Sequence, residues 1–440
     1  MFQVPSSLAG LLSLLSPCFT QPTFQTFGVL VVGCLARVRD CTVTGMLEGA
    51  GLAGEWHHSR AHDFFARARW DPDEVGVGLL DFLVSVFLDA GAPIRLAVDD
   101  TLFGRSGKRV WGAHYLHDGA QPEGSGQRTR WGNCWVVVVL VVNLECLGGR
   151  AVALPVLFRL FRPKHDEHPD RPSQPVLART LIDMILERFP ARTVELVMDG
   201  AYATKAWRGL PGRVTVTTRM RSNAAVFALA PPPTGKRGRP ALKGARMASL
   251  AKLAASAAFE PVTITAPDGK TRVEHVWSTT CLWYGPFYTR TVNVMLIRKP
   301  GRTDGFDVAL ASTDIAASAG DLIARYDSRW ETANQEAKTN GVGQARNRVK
   351  KAVQRTVPFG FLTQTITITW YALHGDPAAD IRARRAAAPW YRHKKTVSYT
   401  DMLAALRREL IRHEYHAQAP PATTTPQITS EQSPSDQAAA

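Results

Sequence analysis

The 440-residue sequence predicts a mixed α/β protein, and three observations carry that prediction. Short apolar runs end in acids, at Asp99-Asp100 and again at Asp199. A nearly continuous valine-rich run from Trp135 to Leu144 has the composition of a central strand buried on both faces. A helical pattern over Pro175 to Phe189 sits between strand-like segments, so strands and helix alternate as in an α/β sheet.

In chain order, residues 1–92 read as a helical region. Leu8, Leu11, Leu12 and Leu15 recur at helical spacing, and Phe24 to Leu35 is a second apolar stretch. A Gly-rich turn after Thr42 and a helix over Ser59 to Trp70 follow, a pairing compatible with DNA reading but more ordinary as part of a covering bundle. Residues 93–210 form the first part of the α/β core, with strands at Ile94 to Val98, Trp135 to Leu144, Ala151 to Phe161 and Val194 to Met198. Residues 211–312 alternate as a β-rich insertion that carries a basic loop, Lys236-Arg237-Gly238-Arg239-Pro240. The core resumes over 313–375, with helices from Ile315 toward Lys338 and from Phe359 to Leu373. A helical region at 376–416 precedes a Pro/Thr/Gln/Ser/Ala-rich tail at 417–440, whose composition predicts disorder.

Composition narrows the function. Lys+Arg 53 against Asp+Glu 38 gives a formal net charge of +15, the balance of a chain that seeks polyanions, nucleic acid first. The six cysteines form no C-x-x-C pair, so neither a disulfide framework nor a zinc knuckle is expected. No Lys or Arg precedes Arg37, which removes the charged start of a secretory signal, and the most apolar run is far shorter than the roughly 20 residues of a membrane span. These features predict a soluble cytoplasmic protein. Gly104 to Gly107 lacks the Gly-Lys-Ser/Thr ending of a P-loop, and His165 and His168 lie between prolines in what reads as a surface loop.

The chemistry rests on three acids: Asp99 or Asp100 at the end of the first strand, Asp199 at the end of a later strand, and Glu331 on a late helix. Mg²⁺ is held by oxygen ligands, one or two carboxylates together with substrate phosphates. Carboxylates gathered at one sheet edge can hold two such ions about 3.5–4 Å apart, which clamps the attacking and leaving oxygens of a phosphodiester. Consecutive strand residues point to opposite faces, so only one of Asp99 and Asp100 faces such a site; Asp100 is the first choice and Asp99 its alternative. On a helix, Glu331 and Lys338 are seven residues apart and share a face.

The segment from Tyr326 to Lys338, with Tyr326, Arg329, Glu331 and Lys338 in order, resembles the Tyr-Arg-Glu-Lys signature of bacterial insertion-sequence DDE transposases. Val98-Asp99-Asp100-Thr101 is similar to the family's first catalytic strand, and Leu196 through Asp199-Gly200-Ala201-Tyr202 to its second. Gly341 to Arg348 resembles the family's continuation. The resemblance implies an RNase H-like core and an enzyme that cleaves DNA at transposon ends and joins 3′-hydroxyls to target DNA with two Mg²⁺ or Mn²⁺ ions. It further implies Asp100, Asp199 and Glu331 as metal ligands, and Tyr326, Arg329 and Lys338 as phosphate-positioning residues. It suggests a homodimer on DNA, nucleoid-associated when bound.

One spacing departs from the family. Trp330 alone separates Arg329 from Glu331 where the family has three residues; on one helix, two missing residues rotate Arg329 by about 200° relative to Glu331. Either the helix begins after Trp330, or the site is impaired, with Glu336 as a substitute acid that breaks the spacing to Lys338. The alternatives are therefore a transposase-derived DNA-binding protein without catalysis and a plain RNase H-like nuclease. Outside the signature, Lys236, Arg237 and Arg239 resemble an AT-hook core suited to a narrow A·T minor groove. Arg346, Arg348, Lys350 and Lys351 form a basic stretch able to follow a DNA backbone.

Overall fold

The computed structural model describes residues 4–37, 40–119, 129–165, 167–232, 240–266, 269–328 and 331–418. The basic loop at 236–239, the residues Arg329 and Trp330, and the tail beyond 418 lie outside the described residues.

Five helices come first: α1 (Ser6–Ser13), α2 (Gln21–Ala36), α3 (Val43–Gly49), α4 (His58–Ala66) and α5 (Pro72–Phe87). Their starts follow local chemistry. Thr42 accepts a hydrogen bond from the Gly45 amide to cap α3, and Asp71 accepts one from Asp73 with Pro72 at the first position of α5. Four strands follow, β1 (Ile94–Gly104), β2 (His114–His117), β3 (Thr129–Leu144) and β4 (Arg150–Phe161). The middle of the chain continues with α6 (Gln174–Arg188), β5 (Val194–Met198), β6 (Val214–Arg219), α7 (Leu250–Ser256), β7 (Glu260–Thr265), β8 (Thr271–Leu282), α8 (Tyr284–Phe287), β9 (Thr291–Arg298) and β10 (Val308–Ser312). Five helices close the described chain: α9 (Ala319–Asp327), α10 (Glu331–Thr339), α11 (Lys350–His374), α12 (Pro377–Ala387) and α13 (Tyr399–Gln418).

All ten strands join one mixed sheet. Its centre runs β4-β3-β1-β5-β6, with β1 antiparallel to β3, β3 antiparallel to β4, and β1, β5 and β6 mutually parallel along their shared edges. This arrangement is an RNase H-like core. Strands expected as an insertion do not make a separate sheet: β10 pairs with β6, and β9, β8 and β7 extend the same surface outward. The valine-rich β3 lies centrally between β1 and β4 and is buried over nearly its whole length, as its apolar run requires.

Helices cover both faces. Gln174 of α6 reaches Cys134 of β3 on the face that Asp100 occupies, while Phe361 of α11 meets Phe103 and Phe158 on the opposite one. The N-terminal helices then close over the outer side of α11: Phe65 lies 5.3 Å from Phe359 and Phe27 lies 5.9 Å from it, ring centre to ring centre. The α3–α4 pair thus belongs to a covering bundle, with Met46, Leu47, Phe64 and Phe65 buried. Buried through its middle, α11 also carries threonines, and several return their hydroxyl protons to the backbone. Thr363 donates to Phe359 O and Thr367 to Thr363 O, four residues back, and Thr365 donates to Pro155 O of β4.

Helices α2 and α3 cross so closely that a Cβ at Gly33 would lie 1.7 Å from the Met46 carbonyl oxygen, whereas one at Gly28, on the same helix, would meet nothing within 4 Å. Gly33→Ala is therefore expected to destabilise the chain by about 1–3 kcal/mol through forced separation of the helices. Gly28→Ala is expected to stabilise it by up to about 1 kcal/mol through helix propensity. Urea unfolding of both variants checks the pair, and equal midpoints contradict the crossing.

Candidate functional site

Two strands separated by about a hundred residues of sequence build the centre of the site. The parallel register of β1 and β5 pairs Ile94 with Val194 and continues through Val98 with Met198. The next residues along each strand are Asp99 and Asp199. Both aspartates therefore lie at the carboxyl end of the paired strands, and the Asp199 charge is felt by Asp100, the next residue of β1. Asp199 follows β5 and caps the short helical turn Gly200–Tyr202, its Oδ2 accepting from the Ala201 amide at 3.3 Å. Glycine follows it because a Cβ at Gly200 would come within 2.7 Å of the Arg219 carbonyl oxygen on β6.

The two adjacent aspartates of β1 have different surroundings. Asp99 accepts a hydrogen bond from Asn334 Nδ2 of α10 at 3.1 Å. Asp100 points to the α6 face, where Oδ1 accepts from the Tyr202 hydroxyl at 3.1 Å and Oδ2 from the Cys134 thiol at 3.3 Å. Gln174 Nε2 lies 3.5 Å from the same sulfur. Burial pushes the Asp100 carboxyl up, the hydrogen bonds from Cys134 and Tyr202 pull it down, and the nearby Asp199 charge raises it further. Burial also raises the Tyr202 hydroxyl and the Cys134 thiol, so both remain protonated donors to Asp100.

Glu331 is the first residue of α10, one helical turn before Asn334. Arg329 and Trp330, between α9 and α10, lie outside the described residues, and so does the spacing on which the rotation expected for a shared helix turns. Among the residues whose side chains are described, no three acids, histidines or cysteines gather as a metal site; the Glu331 side chain is outside that set.

The remaining sequence-predicted residues scatter. Lys338 is exposed on α10. Tyr326 is only 4% exposed on α9, where it lines a cavity with Arg219, Arg272 and Lys299. Arg346 is exposed and lies 3.6 Å from Asp40, and Arg348 is exposed, its backbone carbonyl accepting from Trp111 at 2.9 Å. Lys236, Arg237 and Arg239 lie outside the described residues. Sequence reasoning missed Asn334, although its place three residues after Glu331 puts both on one helical face. It also missed Arg105, which continues past β1 and donates to Asn133 Oδ1 at 2.9 Å and to the Ala345 and Asn347 carbonyls. Burial pulls the Arg105 guanidinium down to about 10, still charged at neutral pH. It ties the catalytic strand to the segment that follows α10.

Glu336, the substitute acid, does not join Asp99 and Asp199. It faces α11, where Gln364 Nε2 donates to it at 3.2 Å, and burial pushes its carboxyl up to about 7 from a usual 4.5. The folded chain thus keeps a proton that the unfolded chain releases between about pH 4.5 and 7. The associated stability is present below the lower value and lost as pH rises through the upper one. Glu336→Gln keeps an acceptor for Gln364 and removes the ionisation. It is expected to raise stability at pH 8 by about 1–2 kcal/mol, allowing for partial solvent exposure, and to change it little at pH 4.5. Thermal unfolding across this range checks it, and a pH-independent difference contradicts the assignment.

Comparison with known proteins bears on the same strands. A family model described as DDE superfamily endonuclease matches residues 14–285, more than half of the chain, a stretch that contains Asp99, Asp100 and Asp199 and ends before Glu331. No curated protein matches the chain. With the RNase H-like sheet and paired strand-end aspartates, the match shows that this chain belongs to the DDE endonuclease superfamily.

Proposed function

We propose that the chain is a DDE transposase that cleaves DNA at transposon ends and joins the freed 3′-hydroxyls to target DNA. The observation that supports this reading is the β1–β5 pairing, which brings the ends of both acid-bearing strands together, with the Asn334 hydrogen bond that ties Asp99 to α10, the helix that carries Glu331. That bond is the reason for taking Asp99 as the first carboxylate ligand, with Asp100, which feels the Asp199 charge, as its alternative. Asp100, turned to the opposite face and bonded to Tyr202 and Cys134, acts in this reading as the anchor that holds β1 against α6.

A donor set of carboxylate oxygens suits hard divalent cations, so Asp99, Asp199 and Glu331 would hold Mg²⁺ or Mn²⁺, two ions in this proposal. Such ions, when bound, neutralise charge on the phosphodiester and lower the pKa of a bound water or hydroxyl. The protein's own residues do the positioning. Asn334 fixes the Asp99 carboxylate by donating one proton to Oδ2, and Arg105 holds the segment after α10 against β1. Lys338, Arg346 and Arg348 present positive charge to phosphate, which sets register and not sequence choice. Arg329, Lys236, Arg237 and Arg239 belong to the same DNA-binding proposal, as do a homodimer pairing two ends and a cytoplasmic setting. No helix among the described residues is long and apolar enough to cross a membrane.

The test is Mg²⁺-dependent nicking and strand transfer with duplex DNA carrying the element's own ends. Asp99→Asn, Asp199→Asn and Glu331→Gln are each expected to lower cleavage about 1,000-fold, equivalent to about 4 kcal/mol of transition-state stabilisation. Asp100→Asn should cost about 10–100-fold, the size seen for groups that orient ligands. Cleavage without strand transfer makes the chain a nuclease, and end binding without any nicking makes it a DNA-binding derivative. A loss in Asp100→Asn equal to that in Asp199→Asn returns the ligand role to Asp100.

A further inference from the structure

We infer that the groove between the α4–α5 turn and the first turn of α11 holds the backbone of duplex DNA outside the cleavage point. The inference rests on the transposase reading for why DNA is present, but on separate residues for where it lies. The groove has a volume of about 530 Å³, and its rim carries Arg67, Arg69 and Lys351, all exposed. Arg67 is 81% exposed, and its ion pair with Asp63 at 3.5 Å, on a similarly open surface, holds it weakly.

The floor is built to present these cations. Arg355 is only 5% exposed and donates to the backbone carbonyls of Phe65, Ala68 and Trp70, with its guanidinium 4.8 Å from the Trp70 ring centre. It thereby fixes the turn from which Arg67 and Arg69 project and adds a positive charge below them. Lys351 Nζ reaches the Arg67 carbonyl at 3.3 Å, closing the groove from the α11 side. Asp71 and Glu74 also line it. The Asp71 carboxylate is engaged in capping α5, accepting from the Asp73 amide at 2.8 Å.

The groove continues a run of cations that reaches the β1–β2 connection. Past β1, Trp111 bonds the Arg348 carbonyl, and Lys350 lies 5.5 Å from the Trp111 ring centre. Lys351 is the next residue, so the basic run crosses from the β1–β2 connection to the groove within one helical turn. Cations strung along a path fit successive phosphates better than a single small anion. The aromatic residues here are not stacking platforms: Trp70 is 5% exposed, and Phe19 stacks on Phe27 at 4.7 Å. With Trp70 closed off and Phe19 and Trp111 half-buried against their neighbours, cations and not rings dominate the groove, which fits duplex over single-stranded DNA.

The experiment measures affinity for a 30-base-pair duplex, and for one of its strands alone, by fluorescence anisotropy across a salt series. The proteins are the full-length chain, the double variant Arg67→Ala/Arg69→Ala, and Lys351→Ala. Each lost phosphate contact should reduce the slope of log K against log salt by about 0.9, so the double variant should lose about 1.8 and Lys351→Ala about 0.9. Circular dichroism melting of each variant verifies the fold. Unchanged slopes in both variants, absence of duplex binding by the parent, or tighter binding of the single strand each overturn the proposal. Asp199→Asn separates the two readings. If it keeps the parental slope and loses cleavage while the groove variants bind as the parent does, the groove fails and the transposase reading stands. If Asp199→Asn cleaves normally while the groove variants lose slope, the reverse holds.

Discussion

Five residues of parallel pairing between β1 and β5 are the constraint on which the rest depends. A parallel pair cannot be closed by a tight turn, so the chain must travel through β3, β4 and α6 before β5 returns beside β1. That excursion supplies the cover that lets both strands be buried. A slip of one residue would turn every β5 side chain, Leu196 and Met198 included, to the other layer and shift Asp199 along β1. The apolar runs Ile94 to Val98 and Val194 to Met198 resist that slip, because each has buried residues facing both layers.

Much of this core is written locally. Val194–Met198 coincides with the strand expected there, α6 differs from its expected span by one residue at each end, and Trp135 to Leu144 lies inside β3. β1 runs six residues past its expected end because its polar continuation, Asp99 to Gly104, is paired with β3 through to Gly132. The first turns of α11 carry Lys350, Lys351 and Arg355, which masked a helix whose apolar signal begins at Phe359. The strands of 260–312 read correctly as strands, but their membership in the core sheet was not legible. Pairing between β6 and β10 joins residues some ninety positions apart, and no local pattern encodes it.

The candidate site divides the same way. Strand-end acids and the Glu331 to Lys338 spacing are visible in one dimension; the choice between Asp99 and Asp100 is not, because alternation separates their faces without saying which layer each face meets. That information comes from α6 and α10, contributed by distant segments. Tyr326 shows the converse. Its place in a recognisable string says nothing of its burial on α9, which only the packed structure displays.

The enclosure of α11 has a mechanical corollary. At 25 residues the helix is about 37 Å long, and its sides are occupied by β4, α4, α5 and α13. Pro358, within its third turn, removes one backbone hydrogen bond and is the natural joint, while the packing on either side holds the two arms straight. A push on the first turn, at Lys350 and Lys351, therefore reaches the α12–α13 end only through that joint. The short arm can tilt with the N-terminal helices while the long arm stays fixed against the sheet.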